Sequence, residues 1–181
     1  MSPAYLAIVD AHYNKLYCFA LSLSRNESDA ADLTQQAYLK LARNWDSIRD
    51  REKSKSWLFS TLYREFIDRQ RRKKICSEVD LNAIAIEPPE ESSPSRFTSI
   101  DQEAALRALY TLEPNLRAPL VLYYLEDYTY REIAEVLAIP LGTVMSRLHR
   151  GKQTLRKKLF KKKDSPSDFD LRSTPVQGHG G

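Results

Sequence analysis

Thr129–Leu159 reads TYREIAEVLAIPLGTVMSRLHRGKQTLRKKL, two helical patterns separated by a short break. Thr129 and Glu132 have the T-x-x-E spacing of a capping box, in which two side chains satisfy each other's backbone N–H at a helix start. Ile133, Ala134 and Leu137 give that first helix one apolar face. Ala138-Ile139-Pro140 interrupts the pattern, and Pro140 can open a second helix, where its missing N–H costs little. Val144, Leu148, Leu155 and Leu159 form the apolar stripe of the second helix, expected to be buried. Its other faces carry Thr143, Ser146, Arg147, Arg150 and Lys152, side chains suited to phosphates and base edges in a major groove. The stretch therefore predicts a helix-turn-helix ending in a basic helix. A plain helical hairpin with a solvated face would explain the charge but not the tight turn between two helix-start signals.

Outward from this stretch, charge is distributed in blocks. The 181 residues carry 28 Lys+Arg and 24 Asp+Glu, net +4. Residues 1–74 are net +5, residues 75–101 net −5, residues 102–163 net +6 and the remainder net −2. Two basic blocks around an acidic one suggest two modules that share a polyanionic partner.

Two cysteines occur, Cys18 and Cys76, neither at metal-ligand spacing from a histidine. Cys18 lies in an apolar helical pattern and is expected to be buried; Cys76 is expected as a free thiol at a helix end. Isolated thiols fit a reducing compartment and give no disulfide framework. Asp10 and His12 come too early for a signal peptide, and no apolar run reaches membrane-spanning length. The expectation is a cytoplasmic chain without membrane insertion.

Helical periodicity recurs and strand signals are almost absent. Tyr5, Ile8, Val9, His12, Tyr13, Leu16, Tyr17 and Ala20 mark a first helix. Asn26 or Ser28 can cap a second, running to about Arg43 with Ala30, Leu33, Ala37 and Leu41 inward. Residues 44–55 read as a polar loop. A third helix is predicted from Ser56 to about Lys74, with Trp57, Leu58, Leu62, Phe66 and Ile67 as core candidates and RQRRKK at its end. Ser77–Ser95 holds five acids, no base and three prolines, the composition of a flexible acidic linker. Helix resumes at Gln102–Leu112, breaks at Glu113-Pro114-Asn115, and returns over Leu116–Leu125. The expected fold class is all-α, two small helical modules joined by a flexible acidic linker. The expected divisions are 1–75, a linker over 76–100, 101–160 and a disordered tail over 161–181.

The second helix presents Asp32, Gln35, Gln36 and Leu39 opposite its apolar stripe. DLTQQAYLKLAR (32–43), WLFSTLYREFIDRQRRKK (57–74) and the helix-turn-helix come in an order that resembles the extracytoplasmic-function (ECF) group of the bacterial sigma-70 family. These subunits bind core RNA polymerase and direct it to promoters. The resemblance spans about 5–74 (region 2) and 101–160 (region 4). Asp32, Leu33 and Gln35 match the D-L-x-Q motif, which implies a polymerase-binding face of Asp32, Gln35, Gln36 and Leu39. Trp57-Leu58-Phe59, then Asp68 and Arg71, match W-L-F/Y and D-x-x-R. Tyr130, Glu132-Ile133-Ala134, Gly142-Thr143-Val144 and Ser146-Arg147 match Y-x-E-I-A … G-T-V-x-S-R. The partners implied are core RNA polymerase, promoter DNA both double-stranded and melted, and an anti-sigma factor.

Holding a melted strand calls for aromatic faces beside cations. Trp45, Phe59, Tyr63 and Arg64, with Arg69, Arg71, Arg72 and Lys73, are the candidates for the −10 region; Trp57 is assigned to the core. Thr143, Met145, Ser146, Arg147, Arg150 and Lys152 are the candidates for the −35 region. Two positions depart from the family pattern: Arg64 stands where asparagine is usual, and Met145 where a basic residue is frequent. An apolar side chain meets a thymine methyl but cannot bond guanine bidentately.

The alternatives are a two-module helix-turn-helix regulator that is no polymerase subunit, and an enzyme acting on nucleic acid. The first needs a sensory or dimerising domain, which residues 1–74 do not suggest. For the second, Asp29, Asp32, Asp46 and Asp50 show no convergent metal-binding motif and no nucleophile accompanies them. No catalytic residue, metal or cofactor is expected.

Overall fold

The computed structural model describes residues 2–48, 50–79 and 107–161, and among these there is helix and no strand. Three helices build the first module. α1 (Pro3–Ser24) begins with proline at its first position, where a missing donor is harmless, and ends at Arg25 in the left-handed region, φ 56°. α2 (Glu27–Arg43) is capped by Asn26, whose Oδ1 accepts the Asp29 N–H at 2.9 Å. Glu27 and Asp29 in its first turn and Lys40 and Arg43 in its last oppose the helix dipole. α3 (Ser54–Val79) starts two residues before the predicted start and runs five beyond the predicted end at Lys74.

Leu16, Phe19 and Ala20 of α1, Leu33, Ala37 and Leu41 of α2, and Leu58, Leu62 and Phe66 of α3 close one apolar core. The α1 stripe read from sequence is shifted. Phe19 and Leu23 are buried, while Tyr13 stands exposed and stacks on Tyr17 and Tyr38. Cys18, expected inside, is exposed. The stretch read as a polar loop holds two short 3₁₀ turns, Trp45–Ser47 and Arg51–Lys53. Trp45 meets the Tyr5 ring edge-on at 5.3 Å and carries the Arg51 guanidinium 5.0 Å above its face, so the segment is tied down by its aromatic residue.

The second module begins, in the described residues, with helix over 107–110, followed by α4 (Pro114–Tyr124), α5 (Tyr130–Leu137) and α6 (Leu141–Lys161). The capping box forms: the Thr129 N–H donates to Glu132 Oε2 at 2.7 Å and the Glu132 N–H to Thr129 Oγ1 at 3.3 Å. Such a cap contributes about 1 kcal/mol. Pro140 accepts the Val144 N–H at 3.1 Å, so it sits at the cap and Leu141 is the first helical residue. Ile133, Val136, Leu137, Val144 and Leu148 are buried against Leu120 and Leu122 of α4. Leu159, expected in the stripe, is exposed; Gly151 is buried instead, at the crossing of α4 and α6. A Cβ there would lie 2.7 Å from Leu120 Cδ1, so any larger residue requires the Leu120 side chain to shift.

The expected linker lies outside the described residues from Asp80 onward, as do the first part of the helix predicted at Gln102 and the tail after Lys161.

Candidate nucleic-acid interface

Asp32, Gln35, Gln36 and Leu39 are all exposed on the side of α2 opposite Leu33, Ala37 and Leu41. Ion pairs join this face to the basic end of α3. Arg69 Nη1 lies 3.9 Å from Asp29 Oδ1 and 4.0 Å from Asp32 Oδ2, and Lys73 Nζ lies 3.3 Å from Asp29 Oδ2. A further pair, Lys40 with Glu65, crosses between the same helices. The α2 carboxylates thus orient part of the cationic run that follows.

Along α3, Arg64, Arg71, Arg72 and Lys73 are exposed and Arg69 is half-buried. Arg71 sits 3.8 Å from Asp68, one turn earlier. Trp45 and Trp57 are half-buried, both against the core. Two aromatic candidates need correction. Phe59 is fully buried between Phe19 and Tyr128, ring centroids 5.2 and 5.6 Å away, and offers no face to a strand. Tyr63 is buried as well: burial raises its pKa, while a hydrogen bond and the charge of Arg147 act against that rise. The reason is tertiary. α5 packs on α3, Tyr128 ahead of it lies against Phe59, and Arg147 of α6 reaches Tyr63.

On α6, Met145, Arg150 and Lys152 are exposed, and Thr143, Ser146 and Arg147 are half-buried. Arg147 turns toward Tyr63, so one candidate from each module is occupied by the other. Ser146 Oγ donates to the Thr143 carbonyl at 3.0 Å. The Lys152 ammonium lies 5.5 and 5.4 Å over the Tyr123 and Tyr124 rings, and a hydrogen bond with Tyr124 raises its pKa.

The sequence reading missed the seam between the modules. Arg117 of α4 is only 1% exposed; Nη1 donates to the Ser22 carbonyl of α1 at 2.5 Å and Nη2 to the Leu112 carbonyl at 2.7 Å. Burial, and then the charge of Arg25, bring its pKa down to about 10. Arg25 Nη1 donates to the Tyr110 carbonyl at 3.1 Å. Lys55 Nζ donates to the Glu126 carbonyl at 3.0 Å and lies 3.5 Å from Glu126 Oε2. It also stands 4.6 Å over the Tyr128 ring, and burial pushes the Tyr128 phenol up to about 12. One signal was available: Arg117 falls within the apolar run of α4, three and four residues before Leu120 and Val121, where helical periodicity turns it inward.

Among the described residues no cluster of His, Cys, Asp or Glu could hold a metal ion, and no helix is long and apolar enough to cross a membrane. The sigma-70 region 2 family matches residues 8–75 and the sigma-70 region 4 family residues 102–155. The ECF RNA polymerase sigma factor SigW of Bacillus subtilis is 31% identical over 170 residues, covering 86% of this chain and 89% of that protein. The chain belongs to the ECF RNA polymerase sigma factors. SigE of Mycolicibacterium smegmatis is 32% identical over 88% of this chain, which spans 63% of that longer relative. The sigma factor RpoE of Bartonella quintana, solved in complex with the anti-sigma factor NepR, superposes with a TM-score of 0.74 at 28% identity, covering 89% of this chain and 98% of that one. In this ECF factor the region 2 match covers most of α1–α3 and the region 4 match most of the helix-turn-helix.

Proposed function

We propose that this sigma factor binds core RNA polymerase through the α2 face and directs it to promoters, a role that makes it an initiation factor and not an enzyme. The observation that carries this reading is the α2 face itself. Asp32, Gln35, Gln36 and Leu39 are exposed together, and Leu39 is a large apolar side chain with no packing duty there. An exposed apolar residue ringed by polar ones is what a protein interface uses at its centre.

The first module, residues 1–75, takes the −10 region with Arg64, Arg71, Arg72, Lys73 and the partly paired Arg69, and with the accessible edge of Trp45. Tyr63 joins that set only once Arg147 leaves it; Phe59 serves the core. The second module, residues 101–160, takes the −35 region through Thr143, Met145, Ser146, Arg147, Arg150 and Lys152, joined to the first by the chain that follows Val79. An anti-sigma factor is a further partner, as one is for the Bartonella quintana RpoE. The site of action is the cytoplasm, where polymerase and promoter are found.

Replacing Asp32 and Gln35 by alanine should lower affinity for core polymerase at least tenfold and leave the helical circular dichroism unchanged. In vitro transcription with core enzyme on a promoter library should fall in parallel. Unchanged affinity for core polymerase would remove α2 from the interface.

A further inference from the structure

The first two turns of α6 carry a feature explained neither by the core nor by the basic charge of the helix. Leu141 and Met145 are one turn apart, 40% and 52% exposed, beside the buried line of Val144, Leu148 and Gly151. A single exposed leucine is ordinary. Two long apolar side chains one turn apart, at the start of the second helix of a helix-turn-helix, are placed where that motif reaches base edges. Between them, Gly142 has nothing within 4 Å of where a Cβ would stand, so packing within the protein does not require it; a glycine there suits close approach of an outside surface.

The occupant follows from what surrounds the pair. The same helix continues with Arg150, Lys152, Lys157 and Lys158 exposed, which favours a polyanion over an apolar protein surface. The major groove of DNA offers one apolar group, the thymine C5-methyl. Of the polar side chains near the helix start, Arg147 turns to Tyr63 while the modules are together, and the Ser146 hydroxyl donates to the Thr143 carbonyl.

We propose that Leu141 and Met145 are the sequence-selecting residues of the second module, and that they read thymine methyl groups in the upstream promoter element. The cations behind them supply affinity that is indifferent to sequence. The proposal rests on the assignment of α6 to double-stranded promoter DNA made above.

The test uses the full chain assembled with core polymerase. A promoter selected from a library randomised upstream is resynthesised with deoxyuridine in place of each upstream thymine, on each strand in turn, which deletes only the methyl. At one or two positions, promoter binding should weaken about three- to fivefold, the size expected for one apolar carbon returned to water. Met145→Ala and Leu141→Ala should each abolish the preference for thymine over deoxyuridine at a different position. Both side chains face solvent, so an unchanged melting temperature verifies that the variants fold. Equal binding of thymine and deoxyuridine by the unmodified factor overturns the proposal, as does a preference that survives both substitutions. If deleting the upstream element altogether leaves binding unchanged, the assignment of α6 to DNA fails first, an outcome distinct from either of these.

Discussion

In the first module the largest side chains withdrawn from water are Leu16, Phe19, Leu33, Leu41, Leu58, Phe59 and Leu62; in the second the largest is Arg117, ahead of Leu120, Leu122, Ile133 and Leu148. The first core is an apolar bundle of three helices, closed on one side by Tyr128, which packs on Phe59. The second contains a cation that bonds to two carbonyls, one of them across the seam in α1. A buried charge gains only from the groups that receive it. The second module is thus fitted to the first through the buried cation Arg117, whereas the first meets the second there through apolar rings, Phe59 on Tyr128.

That contrast breaks most visibly at Arg117. Arg117→Ala should cost about 3–4 kcal/mol by denaturant unfolding, because it removes hydrogen bonds from a charged donor and strands two buried carbonyls. Arg117→Met, which keeps the volume and avoids burying a charge, should recover part of that loss. A cost below about 1 kcal/mol for the alanine variant would show that the guanidinium is not integral to the second core.

A smaller effect is expected within the second module alone, at Gly151. Alanine in mid-helix gains about 1 kcal/mol over glycine. Its Cβ would press on Leu120, itself buried, and overpacking of that kind costs about 1–3 kcal/mol. Gly151→Ala should therefore destabilise by roughly 1 kcal/mol net, with the melting temperature as the readout. A stabilised variant would show that Leu120 has room to move.

The smallest effect sharpens the seam. Burial raises the Glu126 carboxyl pKa above 4.5, and the charges of Lys55 and Lys15 offset this only in part. The folded state then favours the protonated acid. Its contribution is fully present below pH 4.5 and is lost as pH rises through the raised value. Glu126→Gln, which keeps the shape without the charge, should remove that part of the pH dependence. Subtracting unfolding curves of the two proteins across this window isolates the slope; identical slopes would mean that the carboxylate is not penalised at the seam.

The helices were legible in the sequence because local signals agreed, Asn26 as a cap and the Thr129–Glu132 box among them; Pro114, read as part of a break, instead opens α4 two residues before the expected start. The exposed α2 face was legible too, since periodicity alone separates Asp32, Gln35 and Leu39 from Leu33, Ala37 and Leu41. Phe59 and Tyr63 were not. Phe59 is closed in by Phe19 of α1 and by Tyr128 ahead of α5, and Tyr63 is met by Arg147 of α6, contacts between elements that the periodicity of one helix does not register. Cys18 fails for the opposite reason: its neighbours in sequence are apolar, but the α1 stripe rotates toward Phe19 and Leu23. Gly151 has no side chain to register in an apolar pattern, so its close approach to Leu120 left no mark.

The mutual contact of Tyr63 and Arg147 puts two ligands of this factor on unequal terms. A polymerase that docks on the outward face of α2, as proposed above, finds Gln35, Gln36 and Leu39 exposed in this arrangement. DNA that needs both Tyr63 and Arg147 can bind only the fraction of molecules in which the modules have parted. If parting costs about 2.7 kcal/mol, roughly one molecule in a hundred is competent, and the apparent affinity for promoter DNA falls about a hundredfold. Such a chain leaves DNA largely alone until the enzyme has taken hold of it, and the ratio of DNA affinities in the holoenzyme and in the free factor reads that fraction directly.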